Sequence, residues 1–366
     1  MRNSTALFII SLFFLSCSGR RYPEELPVVA WYGPETHFAN LAGYRTLSYA
    51  GFTHSYSPFN NKHDNLSALE AADSAGIKLI ISDNRIASVD LKNDSSFFVL
   101  DSIITDYKDH PALWGYFLHN EPGKKDVARL GKISRYIAQR DSSHPVYINL
   151  LPTFATPAQL DTTDYEGYVR SFVDSVKPTI ISFSHFPILE NGLRPDYYHN
   201  LEIVQKIARE KRLPFWAFAL SVHHAPYAKP LKSHLRFQVY SALAYGAKGI
   251  QYFTYAKPHS QVWNFREALV DEAGIPSPLY PLVQHINLEV HSLASRLVHL
   301  SSTGVFHSDP VPQGCSPLIP GFPLNRIVGD NILVSFFKDS KNNDYIMLVN
   351  KNYESGVLAR FYFPRK

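Results

Sequence analysis

The stretch ALWGYFLHNEPG, residues 112–123, decides how this chain is read. Its first part, Ala112 to Leu118, is apolar and rich in aromatics, too short and too β-prone for a helix, and so predicts a buried strand. Pro122 and Gly123 then stop the strand. Between the two lie His119, Asn120 and Glu121. A carboxylate at the tip of a buried strand, beside an amide and an imidazole, is poorly explained by packing. It is well placed to pass a proton to a bound ligand.

Working outward, short apolar runs alternate with helical segments for most of the chain, the signature of a parallel sheet. The predicted strands are Val28–Tyr32, Phe52–Tyr56, Ile77–Ser82, Ala112–Leu118, Val146–Leu150, Thr179–Phe183, Phe215–Leu220 and Gly249–Thr254. Helical composition or period fills Glu35–Ala50, Asn65–Ala75, Asp94–Lys108, Lys125–Arg140, Tyr165–Val176, Asp196–Arg212, Leu231–Gly246 and Ser277–Leu297. Asp64 and Asp164 mark helix starts, and Gly76 and Gly246 mark exits. Eight strands, each followed by a helix, predict an α/β fold, a (β/α)8 TIM barrel over residues 22–300. Sites in such barrels gather at the C-terminal strand ends. There the sequence offers Trp31, Tyr32 and Glu35, His54 and Tyr56, Asp83, Glu121 with its neighbours, Asn149, Ser184 and His185, Ser221, His223 and His224, and Tyr252, Tyr255 and Lys257.

From about Ser301 helical period gives way to Pro and Gly, then to strand-like runs at Ile332–Phe337, Tyr345–Asn350 and Ala359–Phe363. Residues 301–366 therefore predict a small β-sandwich-like domain, minimal or truncated, because the chain stops almost directly after the last run. At the other end, Arg2 precedes the apolar run Ala6 to Leu15 and then Ser16-Cys17-Ser18-Gly19. That run is too short for a stable membrane span and has the layout of a secretory signal. A small residue before Cys17 resembles the bacterial lipoprotein signal, which implies cleavage and lipidation at Cys17 and a protein of the cell envelope, anchored by lipid alone on the periplasmic face or cell surface. Phe14 stands where leucine is usual. Only Cys315 then remains as a free thiol, so no intramolecular disulfide forms.

With 45% hydrophobic and 19% charged residues the chain is globular and able to bury a large core. Aromatics reach 14%, a level that suits either an aromatic core or a surface that stacks flat rings. The net charge of +4 is modest and the basic residues are scattered, which argues against nucleic acid as a partner. Oligomeric state is not legible.

Asn120-Glu121-Pro122 after the fourth strand resembles the acid/base motif of the large clan of (β/α)8-barrel retaining glycoside hydrolases. The blocks HPVYINLLP (144–152), ISFSHFPI (181–188), PFWAFALS (214–221) and LAYGAKGIQYFTY (243–255) resemble a family of glycoside-hydrolase-like barrel lipoproteins of Bacteroidetes. The resemblance implies a barrel that acts on, or binds, a carbohydrate, with Glu121 as general acid/base. Two positions depart from the family's pattern: Asn120 and Ser184 stand where acidic residues are expected. Asn120 is the residue type with which the wider clan holds a sugar 2-hydroxyl, whereas Ser184 removes a carboxylate from the barrel mouth.

The second carboxylate is the open question. Retaining hydrolysis needs two carboxyl groups about 5–5.5 Å apart and inverting hydrolysis about 6.5–9.5 Å. The clan's nucleophile is a Glu ending strand seven, where this chain has FALSVHH, residues 218–224. Asp83 and Glu35 are the nearest substitutes on the correct face, each also explicable as a turn or helix-start residue, with Asp164, Glu190 and Glu267 deeper in loops. His54, His119, His185, His223 and His224 lack the close spacing of metal ligands on one element, so no metal is expected, nor any cofactor. The expected sugar-binding residues are Trp31, Asn120, His119, His185, His223 and Tyr255, with Trp263 a further stacking candidate. The reading is a glycoside hydrolase of poly- or oligosaccharides; the alternative is a non-catalytic carbohydrate-binding lipoprotein on a decayed barrel. Changing Cys17 to Ala should move the protein from the membrane to the soluble fraction on cell fractionation, and unchanged membrane association would refute the anchor.

Overall fold

The structure, a computed structural model, describes residues 25–59, 61–90, 93–260, 262–321 and 323–364. The expected signal segment and Cys17 lie outside the described residues. A closed barrel forms from β1 (Val28–Trp31), β2 (His54–Tyr56), β3 (Lys78–Ile81), β4 (Leu113–Asn120), β5 (Val146–Leu150) and β6 (Ile181–Phe183). A small hairpin, β7 (Ile188–Leu189) and β8 (Gly192–Leu193), follows, and then β9 (Phe215–Leu220) and β10 (Ile250–Phe253) close the barrel onto β1. All eight barrel pairings are parallel.

Around it run α1 (Leu41–Tyr49), α2 (Lys62–Asp73), α3 (Phe98–Tyr107), α4 (Val127–Arg140), the one-turn α5 (Pro157–Leu160), α6 (Tyr165–Val176), α7 (Tyr197–Lys211), α8 (Lys232–Ala244) and α9 (Leu279–Leu297). No described helix is long and apolar enough to cross a membrane. The fold is the α/β TIM barrel expected from the strand count. The turn α5 and the β7–β8 hairpin were not foreseen, because each is too short to carry a periodic signal.

Side-chain alternation sorts the strands into two layers. On β1, Val28 and Ala30 join the layer under the helices, while Val29 and Trp31 point into the barrel; on β9, Ala217 and Ala219 go outward and Trp216 and Phe218 inward. The barrel interior is filled by large rings, with Trp114 and Trp216 centred 4.9 Å apart. A thread of polar groups runs through this apolar filling. The Tyr147 hydroxyl meets Gln251 at 2.5 Å and Ser182 at 2.7 Å, Ser182 donates to Asn149 Oδ1 at 3.0 Å, and Asn149 Nδ2 donates to Asn120 Oδ1 at 3.1 Å.

The fourth strand runs two residues beyond its predicted end at Leu118. The apolar run ends at Leu118, but β5 continues the ladder. After a bulge at Leu118, His119 pairs with Ile148 and Asn120 with Asn149. A second irregularity, against β3, lies beside Gly115. The strand passes so close to the β5 entry there that a Cβ on Gly115 would sit 2.3 Å from the Pro145 carbonyl oxygen.

Beyond the barrel, β11 (Ser301–His307), β13 (Ile332–Lys338) and β14 (Asp344–Asn350) form an antiparallel sheet, and β12 (Arg326–Val328) pairs with β15 (Arg360–Tyr362). The two sheets share a small core of Leu324, Ile332 and Val334 with Ile327, Phe336 and Phe361, and β13 and β14 lie on α8. Gly115→Ala should destabilise the barrel by about 1–3 kcal/mol, the usual cost of overpacking, seen as a lower urea midpoint with an unchanged slope.

Candidate active site

At the C-terminal end of the barrel the rings part and leave a cavity of about 440 Å³. Trp31, Tyr56, Phe117 and Phe218 line it, continuing the aromatic filling below, and Trp263, Tyr227 and Phe265 come from the loops above. Trp31 is central to the wall: its ring lies 4.2 Å from that of Tyr56 and 5.2 Å from that of Phe218. Polar groups are few and local: Asn120, Glu121, Asn149, Gln159, Ser184, His224, His259 and Ser260.

Glu121 reaches this cavity through its backbone. Its N–H donates to the Asn149 carbonyl at 2.7 Å, which extends the β4–β5 ladder by one step. The chain then turns with φ of 53° at Glu121, left-handed backbone that is costly for a residue with a long side chain. The turn is pinned from behind, since the Tyr168 hydroxyl donates to the Pro122 carbonyl at 2.8 Å. Tyr32, across the cavity, also has positive φ, at 51°. The other positive-φ residues with side chains end α5, α6 and α7 (Asp161, Lys177 and Arg212) or are the asparagines 331 and 342. Among the described residues, such backbone outside a helix end or an asparagine occurs only at the cavity.

Burial raises the Glu121 carboxyl above its ordinary range, and one hydrogen bond, from Ser184 Oγ to Oε1 at 2.6 Å, opposes the shift. Ser184, just after the sixth barrel strand, thus touches Glu121 directly. An aspartate there would repel the ionised form; the hydroxyl instead orients the side chain. Beside it, Asn120 Oδ1 is engaged by Asn149, so its NH2 group is the part available to a ligand. Burial also lowers His224 below the usual imidazole range, which keeps the ring neutral near pH 7.

Of the residues singled out in the sequence, Trp31, Tyr32, Tyr56, Asn120, Glu121, Asn149, Ser184, His224 and Trp263 meet at this cavity. Several others do not. Asp83 is a correction: its carboxylate receives Arg85 Nε and Nη2 at 2.9 and 2.6 Å and the Tyr107 hydroxyl at 2.8 Å. Burial works against its ionisation, but the Arg85 and Tyr107 hydrogen bonds outweigh it and hold Asp83 below the usual carboxylate range. It closes an ion pair and does not line the cavity. Glu35 lines a neighbouring recess that shares Tyr32, Pro258 and His259 with the cavity, and its Oε2 lies 3.5 Å from His259 Nε2.

Among the expected sugar ligands, His119 is turned aside by the Leu118 bulge and its Nδ1 meets the Asn120 carbonyl at 2.8 Å. His185 is buried behind the wall, edge-on to Phe154, with Nε2 3.5 Å from Asp196 Oδ2. Tyr255 is 1% exposed and packs on Phe52. His223 spends its backbone on residues 266 and 267. Its neighbour His224 therefore faces the cavity, since successive extended residues point to opposite sides. The five histidines do not gather: among the described residues no three of them approach as ligands would. Tyr227 and His259 enter the site unannounced, placed by loop geometry that no local pattern encodes.

No family model matches the sequence, and a search of curated proteins gives no match. The fold, by contrast, is shared with solved glycoside hydrolases. A β-galactosidase from the psychrophilic Marinomonas ef1 aligns with a TM-score of 0.58 at 12% identity, over 76% of this chain and 62% of that one. The β-galactosidase of Rahnella sp. R3 aligns at 0.56 and 13%, over 77% and 58%. A candidate α-L-fucosidase from Bacteroides thetaiotaomicron aligns at 0.51 and 9%, over 78% of this chain and 99% of that one. The chain thus spans about three fifths of the two β-galactosidases. These identities establish the (β/α)8 fold.

Because the folded-state pKa of Glu121 is raised, its ionisation opposes folding: the group favours the native state at low pH, and that contribution is lost as pH rises through its folded value. Glu121→Gln removes the buried charge and should raise stability at pH 7. The gain should fade as pH falls through the raised folded value and be gone below the ordinary carboxyl value of 4.5. Urea midpoints of both proteins at pH 7 and pH 4 check the sign.

Proposed function

We propose that this protein recognises a carbohydrate in the barrel mouth and that Glu121 acts as general acid on a glycosidic bond held there. The observation that carries this reading is the composition of the cavity: Glu121 is the one carboxylate among its described lining residues, set in an aromatic wall that raises its pKa. A carboxyl kept protonated toward neutral pH can donate to a leaving glycosidic oxygen. Flat rings such as Trp31 and Trp263 suit the apolar faces of a pyranose. The Asn120 amide and the neutral His224 supply hydroxyl partners. The cell-envelope location inferred from Cys17 belongs to the same proposal.

The geometry narrows the mechanism. After the seventh barrel strand stand Leu220, Ser221 and Val222, and Ser221 Oγ donates to the Thr254 carbonyl at 3.0 Å. None of them is a carboxylate, so a covalent glycosyl-enzyme has no carboxylate nucleophile among the described lining residues. With Asp83 sealed in its ion pair, Glu35 in the adjoining recess is the remaining base for a water-mediated, inverting attack. The single carboxylate also favours the second reading, a binding protein on a barrel that has lost catalysis.

A glycan panel scored for both binding and product release separates these readings. With a hydrolysed glycan, Glu121→Gln should lower turnover by about 10²–10⁴-fold and leave affinity intact, and wild-type turnover in that variant would remove Glu121 from the mechanism. Trp263→Ala should weaken binding by about 2- to 10-fold, as expected for one aromatic contact. A mechanism-based fluorosugar should give no adduct by intact mass, and a stoichiometric adduct would reveal a nucleophile elsewhere. Binding without release across the panel would favour the second reading.

A further inference from the structure

Four side chains from separate parts of the chain converge between the barrel and the C-terminal sheets, away from the Glu121 cavity. Glu202 comes from α7, Tyr245 from the end of α8, His307 from the last position of β11, and Cys315 from the loop that follows. The Tyr245 hydroxyl lies 3.0 Å from Glu202 Oε1, 2.9 Å from His307 Nε2 and 3.8 Å from Cys315 Sγ. One ligand atom each of Glu202, His307 and Cys315 fall within 4.8 Å of one another. Among the described residues no other group of three such side chains gathers this closely.

We propose that Glu202, His307 and Cys315 bind a zinc-class divalent cation. One carboxylate oxygen, one imidazole nitrogen and one thiolate sulfur form a mixed donor set that suits zinc; magnesium and calcium take oxygen ligands. A tetrahedral zinc site, with bonds of about 2.0–2.3 Å, has ligand atoms about 3.3–3.7 Å apart. The three side chains therefore need to close by about 1 Å. Closure falls to the Glu202 and Cys315 side chains, because the backbone around Cys315 is held: its N–H donates to the Pro312 carbonyl at 3.1 Å and the Ser316 carbonyl accepts the His307 N–H at 2.9 Å. His307 is the fixed member, 1% exposed and held in the β11–β13 ladder.

An adjoining cleft of about 660 Å³, lined in part by Glu202 and Gly314, gives the ion a route from solvent and a water for the fourth position. The Tyr245 hydroxyl would then leave the centre and keep its bond to Glu202, orienting that ligand from outside. Cys315 would ligate as the thiolate, releasing its proton to solvent. Because the ligands come from a barrel helix and from the C-terminal layer, the ion would tie the two together.

The test is zinc titration by calorimetry of the whole protein after chelator treatment, in wild type, Cys315→Ser and Glu202→Gln, with Cys17 unchanged in all three. One equivalent should bind the wild type and raise its thermal midpoint by about 3 °C or more at saturation. Each variant should bind at least about 10-fold more weakly. Cobalt in place of zinc should give a near-ultraviolet thiolate charge-transfer band that Cys315→Ser abolishes. A wild type that takes up no zinc, or variants that bind as it does with the band intact, would overturn the proposal and leave a tyrosine-centred set of hydrogen bonds.

Discussion

The hydrogen bond from the Glu121 N–H to the Asn149 carbonyl, 2.7 Å long, is the constraint on which the site depends. It carries the β4–β5 ladder past the bulge at Leu118 and fixes the residue at which the chain must leave the sheet. The departure is a left-handed turn at Glu121 itself, closed from behind by the Tyr168 hydroxyl on Pro122. Without the bulge, the alternation would exchange the directions of His119 and Asn120. With it, the amide and the carboxylate face the cavity and the imidazole does not.

Below that turn the interior explains why the carboxylate is chemically distinctive. Large rings line the upper barrel and bury Glu121, so ionising it costs more than it would in solvent. The polar thread from Gln251 and Tyr147 through Ser182 and Asn149 brings hydrogen bonding up the axis to Asn120 without giving Glu121 a counter-charge. Ser184 supplies one oriented hydroxyl. Asp83, on the neighbouring barrel strand, shows the opposite outcome: a guanidinium and a phenol hold it ionised. Two carboxylates at strand ends of one barrel are thus driven apart by their surroundings, one toward the acid form and one into an ion pair.

The barrel was legible because its signal is distributed. Eight apolar runs at regular spacing survive an error of two residues at any one of them, as the extension of β4 shows. Glu121 was legible for a local reason, a charged residue directly after a buried strand. The partners of Glu121 were read less well. His185 and Tyr255 stand at strand ends as sugar ligands should, yet each packs behind the wall, because strand-end position fixes height along the barrel and not direction. At the seventh strand two adjacent histidines were equivalent in sequence, and only the pairing of the His223 backbone with residues 266 and 267 turned His224 inward.

By itself, then, the sequence determined the class of fold, the order of its strands and Glu121 as an acid at the mouth, all of which follow from hydrophobic periodicity and short-range turn chemistry. Tertiary structure alone decided which neighbours share the cavity with that acid, that Asp83 is withdrawn from it, and that Glu202, Tyr245, His307 and Cys315 meet at one point. Those outcomes depend on strand register, a single bulge, and contacts between residues far apart in the chain, such as Trp31 with Phe218 and Glu202 with Cys315. Such contacts leave no mark on the local pattern, because the energy that fixes them appears only when distant surfaces pack.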